Sequence, residues 1–129
     1  MMIPSPGTRW DLDAVAFHDA ARRDWPDAEL SEPIAAGNGN TEVMISTLPA
    51  NGGRPLSCIL SVEPDKDGSF SIQSGTGPEA AAMFAWFRNW LGPQQATSIL
   101  NASGGVTLVE IPSGATAQDI AQVVDSLSP

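Results

Sequence analysis

The chain has 129 residues, of which 15 are acidic and 6 are basic, so its formal net charge at neutral pH is −9. Such an excess of negative charge disfavours nucleic acid and anionic lipid as partners, because phosphate binding requires clustered Lys and Arg. The single cysteine excludes a disulfide within the chain and a zinc site built on thiolates. No apolar run reaches the roughly 18 residues of a membrane span, and the N-terminus lacks the pattern of a secretory signal, so we expect a soluble, cytoplasmic protein.

The charges are distributed unevenly along the chain. Seven acids fall between Asp11 and Glu32, whereas residues 69–109 contain only one acid and one base, Glu79 and Arg88. An acidic surface can serve only to keep a protein soluble, or it can be a docking face for a basic segment of another protein. The sequence leaves both interpretations open.

The N-terminal part predicts an arm followed by a helix. Residues 1–8 contain two prolines and no periodic pattern, so we expect a flexible N-terminal arm before a single α+β domain over residues 9–128. Thr8, with Asp11 three residues later, matches the capping-box pattern and predicts a helix that begins at about residue 9 or 10. This helix should end near Trp25-Pro26. One face of it carries its apolar residues, Trp10, Ala14, Phe17, Ala21 and Trp25.

The next part of the chain has the alternation typical of β-strands. Residues 30–35 predict either an edge strand or a loop, because Pro33 is tolerated only at a sheet edge. Residues 41–48, 56–62 and 69–74 alternate apolar with polar side chains and are separated by turn-forming stretches at residues 49–55 and 64–68. We therefore expect an antiparallel meander of three or four strands with one apolar face and one serine-rich face.

Residues 78–91, PEAAAMFAWFRNWL, predict the central helix of the domain. Pro78 suits the first turn of a helix, and Gly92-Pro93 suits its end. One apolar stripe contains Ala80, Met83, Phe84, Phe87 and Leu91, and a second contains Ala82, Trp86 and Trp90. Because the helix is apolar on nearly every side, we expect it to be buried on more than one face.

The C-terminal part predicts a hairpin and a last helix. Residues 97–101 and 106–111 read as strands joined around the turn at residues 102–105, and Pro112 ends the second strand. Thr116 and Asp119 repeat the capping-box pattern at the start of the helix. Ile120, Val123, Val124 and Leu127 follow helical spacing, which predicts one buried face.

The predicted order is α-β-β-β-α-β-β-α, an α+β fold whose antiparallel sheet, a meander plus a C-terminal hairpin, is covered by three helices. In element order, size and acidity, the chain resembles the type III secretion chaperone-like fold. Members of that group are small acidic domains that often dimerise and hold a segment of another protein. The resemblance implies a binding module without catalytic residues, and it assigns no binding residue.

Aromatic side chains supply the candidate binding residues. Trp86 and Trp90 lie one turn apart on the second stripe of the central helix, where they are either buried or form an apolar patch for a partner. Arg88 and Asn89 would flank such a patch. Trp10 and Trp25, at the two ends of the first predicted helix, present the same alternatives.

The sequence offers few candidate catalytic residues. His18 is the only histidine, so any Ser–His or Cys–His pair has to use it, and its acidic surroundings predict a solvated side chain on a surface helix. Cys58 falls on the apolar face of a predicted strand, which indicates a buried and unreactive thiol. We therefore predict no catalytic residue, no metal site and no cofactor.

Two loops bear a slight likeness to ligand sites. Residues 65–69, DKDGS, are acidic like a calcium loop, but Thr76 stands where the bidentate Glu would be required, so we expect a hairpin turn. Residues 75–77, GTG, precede the central helix as a phosphate-binding loop would, but no Lys follows, and we expect a turn and cap instead.

The sequence favours a non-catalytic protein- or peptide-binding module, secretion-chaperone-like or immunity-like, that binds a basic or amphipathic partner. This hypothesis predicts a dimer, such as a homodimer, or a heteromer. An alternative is a small-ligand-binding domain with a pocket between the sheet and the central helix. A small enzyme that uses His18 or unpaired acids is a third hypothesis, which the sequence favours least.

Overall fold

The computed structural model describes residues 1–47, 55–74, 78–101 and 107–127. Within them the chain forms three helices and eight strands, and each strand pairing is antiparallel, so the predicted α+β class is confirmed. The helices are α1 (Ala14–Asp24), α2 (Pro78–Leu91) and α3 (Ala117–Leu127). The strands are β1 (Met2–Pro4), β2 (Glu29–Leu30), β3 (Ile34–Ala35), β4 (Thr41–Thr47), β5 (Leu56–Val62), β6 (Gly68–Ser74), β7 (Thr97–Asn101) and β8 (Thr107–Ile111).

The chain divides into two compact units. One, here called the meander unit, is Trp10–Gly75, and the other, here called the helical unit, combines Met1–Arg9 with Thr76–Pro129. Each unit contains antiparallel strands and at least one helix.

The meander unit is built on three long strands. β4 pairs with β5 and β5 pairs with β6, which confirms the predicted meander. The register places Val43 beside Leu60 and Ile45 beside Cys58, and all four side chains are buried. Because side chains alternate across a strand, the opposite face of β4, β5 and β6 carries the serines. α1 contacts β4, and the ring of Phe17 meets that of Phe70 edge to face at 6.0 Å.

The uncertain segment at residues 30–35 forms two strands of two residues each. β2 and β3 both pair with β4, at different parts of its length. Pro33 lies between them and has no N–H to donate to a ladder, which explains why the pairing is interrupted there. The edge strand expected from the sequence is therefore present in two pieces.

The first helix starts later than its sequence pattern predicts. Asp13 is the N-cap, and its carboxylate accepts hydrogen bonds from the backbone N–H groups of Val15 and Ala16. The Thr8 hydroxyl donates to the Ser5 carbonyl instead, so the predicted start at residue 9 or 10 is wrong. The predicted end is confirmed, because α1 stops at Asp24 with Trp25 as its C-cap.

The residues before α1 are held by the turn between β5 and β6. The Asp67 carboxylate accepts hydrogen bonds from the N–H groups of Trp10 and Gly68, and the Leu12 N–H donates to the Lys66 carbonyl. A Cβ atom on Gly68 would overlap the Ser61 carbonyl oxygen and approach Leu12 Cδ1 at 2.9 Å. Close approach of the backbone therefore requires glycine at this position. The predicted hairpin turn at residues 64–68 is confirmed.

The helical unit corrects the expectation of a flexible arm. Met2–Pro4 form β1, which pairs with β7, and the Met2 side chain is fully buried. Ser5 continues the attachment, since its N–H donates to the Ala96 carbonyl and its hydroxyl lies 2.8 Å from that of Ser98. A three-residue strand that ends at proline is too short to show an alternating pattern in the sequence. The strand forms because it pairs with β7, about 95 residues away in the chain.

The other elements of the helical unit have the predicted positions, but the predicted buried face of the last helix is only partly buried, with Ile120 buried and Val124 exposed. β7 and β8 form the predicted hairpin, and α2 has the predicted bounds, followed by Gly92 with φ of 83° in the left-handed region. α3 begins with a complete capping box, in which Thr116 and Asp119 each accept the other's backbone N–H. α3 packs against α2.

Three predicted turns lie wholly or mostly outside the described residues. They are the turn at 49–55, of which only Pro55 is described, the glycine-containing stretch at 75–77 and the hairpin turn at 102–105.

Candidate functional site

Trp86 and Trp90 lie on the surface side of α2, and each is half-buried. The more deeply buried positions of the helix include Met83, Phe84 and Phe87, so the stripe that the sequence assigned to the core is buried. The Trp90 ring lies 5.9 Å from that of Phe87 at an angle of 31°. Trp90 thus contacts the core through Phe87, and both Trp86 and Trp90 remain partly exposed.

Arg88 does not flank this stripe as an exposed cation. Its side chain is 2 % exposed, Nε donates to the Ile111 carbonyl at 2.7 Å, and Nη1 donates to the Gly92 carbonyl at 2.9 Å. Burial lowers the pKa of the Arg88 guanidinium, and the Glu110 carboxylate partly opposes that effect. Arg88 therefore joins the end of α2 to the end of β8.

Asn89 is exposed, but it also binds its own chain. Its amide nitrogen donates to the carbonyls of Ala85 and Ala115, and its amide oxygen accepts the Gly114 N–H at 2.7 Å. These bonds attach α2 to the connection between β8 and α3. Arg88 and Asn89 are thus primarily internal ties, which their position on an apolar helix did not reveal.

The other two tryptophans belong to the meander unit. Trp10 is 1 % exposed and precedes α1 rather than lying in it. Trp25 is half-buried at the C-cap, where its backbone N–H donates to the Ala21 carbonyl. The structure therefore brings Trp86 and Trp90 together on one helix, places Trp25 in the other unit, and removes Trp10 from the surface.

His18 is buried, contrary to the expectation of a solvated side chain. It lies four residues after Ala14 and three before Ala21, at the border of the apolar arc of α1. Nδ1 is 3.9 Å from an Asp19 carboxylate oxygen, and Nε2 is 3.8 Å from one of Glu32. Nε2 is enclosed and has no hydrogen-bond partner among the described residues.

Cys58 is confirmed as a buried residue of β5. Desolvation raises the pKa of its thiol to about 12, so the reactive thiolate is scarce at neutral pH. His18 lies beside carboxylates on its own helix and on the β2–β3 connection.

The acids between Asp11 and Glu32 form an exposed set, here called the acidic stretch. All seven side chains are exposed: Asp11, Asp13, Asp19, Asp24, Asp27, Glu29 and Glu32. Arg22 and Arg23 are the basic residues among them, and they lie against Glu32 and Asp24 at 3.7 and 2.9 Å. Exposed pairs of this kind are worth little individually, so the local excess of negative charge persists at the surface.

Among the described residues, no set of three or more His, Cys, Asp and Glu side chains is arranged to hold a metal ion. In the same part of the chain, none of the helices combines the length and apolar character needed to cross a bilayer. Comparison with protein-family models, with characterised proteins and with solved structures found no match to the chain.

Proposed function

We propose that the protein is a non-catalytic protein- or peptide-binding module, secretion-chaperone-like or immunity-like, whose partner presents a basic or amphipathic segment. The observation that carries the proposal is the acidic stretch, in which each of the seven carboxylates is exposed. A field of one sign at a surface attracts a segment of opposite charge and speeds its association.

The charge is concentrated in one part of the chain. The meander unit holds eleven acids and four basic residues, a balance of −7, whereas the helical unit holds four acids and two basic residues, a balance of −2. A negative charge that served solubility alone would need no such concentration. The unequal distribution therefore favours the docking interpretation.

An apolar contribution is available on α2. Trp86 and Trp90 are half-buried and one turn apart, and aromatic side chains of this kind are enriched in the energetic centres of interfaces. Basic side chains of a partner can bind the acidic stretch, and apolar side chains of a partner can bind the tryptophans, each within its own unit. Homodimer formation, which the fold resemblance suggests, is a further expectation, testable by sedimentation.

A pair of model peptides tests the proposal. One peptide is an amphipathic helix of Lys and Leu, and its counterpart replaces each Lys by Glu with the same apolar pattern. Tryptophan fluorescence should report binding of the basic peptide and none of the acidic one, and the dissociation constant should rise with salt concentration.

Charge-matched variants locate the binding. Asp27→Asn combined with Glu29→Gln removes two charges from the acidic stretch, and Glu63→Gln combined with Glu79→Gln removes two exposed charges elsewhere. The first variant should weaken binding by about tenfold and the second by less than about threefold. Equal weakening by both variants, or equal binding of both peptides, would contradict the proposal.

A further inference from the structure

His18 connects α1 to the segment between β2 and β3 through one carboxylate. The imidazole is 5 % exposed on α1, and its Nε2 faces Glu32, which lies in the connection between Leu30 and Ile34. The distance of 3.8 Å from Nε2 to the Glu32 oxygen exceeds a hydrogen bond, but a displacement of about 1 Å would close it.

A buried polar atom without a hydrogen-bond partner destabilises the fold, and Nε2 of His18 is such an atom. We therefore expect a second state, in which Nε2 has a hydrogen bond. A protonated imidazole carries an N–H on both ring nitrogens and can donate charge-assisted hydrogen bonds to carboxylates. Both nitrogens of His18 have such a carboxylate close by, Glu32 at Nε2 and Asp19 at Nδ1.

The other charged groups around the ring are an arginine and carboxylates. Arg22 lies one turn after His18, and its Nη2 is 3.7 Å from the same Glu32 oxygen, so it attracts the Glu32 carboxylate whether or not His18 carries a charge. The faces of β4 that meet α1 present Val43 and Ile45, which carry no charge, and β2 contributes the exposed Glu29. Histidine is the residue type in this set whose side chain can gain or lose a charge near neutral pH.

We propose that His18 and Glu32 form a proton-operated latch between α1 and the β2–β3 connection. When His18 is protonated, Nε2–H donates to the Glu32 carboxylate and the connection is held against α1. When His18 is neutral, that charge-assisted bond is lost and the connection opens more often. The latch is a property of the chain alone and does not depend on the proposed function.

Amide hydrogen exchange measures the latch at the attached segment. The Ser31 N–H donates to the Met44 carbonyl, so its protection reports how often the connection leaves β4. After correction for intrinsic exchange, the Ser31 protection factor should be about threefold higher at about pH 5.5 than at about pH 7.5, the size expected for an ion pair whose carboxylate stays in water. Because His18 is the sole histidine, its single imidazole NMR signal gives its charge at each pH directly.

Two variants and a control decide the outcome. Glu32→Gln should give the same Ser31 protection at both pH values, and so should His18→Gln. Glu29→Gln removes an equal charge from the neighbouring strand and should keep the threefold rise. A wild-type chain without the rise, or a Glu32→Gln chain that keeps it, would overturn the latch, and the Glu32→Gln comparison suffices even if His18→Gln fails to fold. Neither result bears on the peptide-binding test, which is done at one pH.

Discussion

Arg88 offers a direct test of its role as an internal tie. Arg88→Met keeps most of the alkyl packing but removes the donors to the carbonyls of Ile111 and Gly92. The Ile111 bond is buried, so its carbonyl loses a partner at a cost of about 1–3 kcal/mol, whereas the partly buried Gly92 carbonyl regains water. Relief from burying a guanidinium offsets part of this cost. We expect the free energy of unfolding to fall by about 2 kcal/mol.

Urea denaturation, followed by far-UV circular dichroism, measures this loss. In thermal denaturation, at about 4 °C per kcal/mol for a chain of this length, the melting temperature should fall by about 8 °C. Arg23→Met is the control, because Arg23 is exposed and pairs with its neighbour Asp24, and its effect should stay within about 0.5 kcal/mol. If Arg88→Met were as stable as Arg23→Met, Arg88 would not hold α2 to β8, and its assignment as an internal tie would be refuted.

Three further predictions concern the meander unit. Gly68→Ala should cost about 2 kcal/mol or more in urea denaturation because its Cβ meets the Ser61 carbonyl, while Gly37→Ala, with open space at the Cβ position, should cost less than about 0.5 kcal/mol. Asp13→Ala should remove the α1 cap and cost about 1 kcal/mol; a larger loss from Thr8→Ala would contradict the observed helix start. Cys58 should resist a thiol reagent in the folded chain at about pH 8 and react in urea.

The raised pKa of Cys58 also predicts the behaviour of the chain at alkaline pH. The thiol of the unfolded chain has the ordinary pKa of 9.0, whereas burial raises the pKa of the folded thiol to about 12. The unfolded state therefore loses its proton first, and stability should fall as pH rises from about 9 to about 12, by at most about 1.4 kcal/mol per pH unit from this residue. Cys58→Ala should show a shallower decline, and an identical decline in both chains would count against the burial argument.

Residues close in the sequence were sufficient to predict the bounds of a helix that begins at a proline and ends before a glycine. Pro78 and Gly92 act on the residues beside them, so the bounds of α2 follow from the sequence alone. The start of α1 does not follow from the sequence alone, because two residues with capping side chains, Thr8 and Asp13, lie close together. The choice between them depends on the hydroxyl of Thr8 bonding backward to Ser5 and on the docking of residues 10–12 against a distant turn.

The burial of the candidate site residues was also hard to predict, because it depends on contacts with residues that are distant in the chain. A polar residue on an apolar helix is normally assigned to the solvent, yet Arg88 finds its acceptor 23 residues further along the chain and Asn89 finds one 26 residues away. His18 is likewise buried by elements that follow it. Helical spacing located the buried arc around Phe17, but nothing local distinguishes a histidine at the border of that arc from an exposed one.

The attachment of Trp10 and Leu12 to the turn between β5 and β6 has a consequence for the folding pathway. The acceptors, the Asp67 carboxylate and the Lys66 carbonyl, are positioned only after that hairpin has formed, and the contact from Trp10 closes a separation of 57 residues. Hairpins form within microseconds, whereas contacts across long loops bear a larger entropic cost. We therefore expect substitutions in β5 and β6 to slow folding, and substitutions at Trp10 to accelerate unfolding instead.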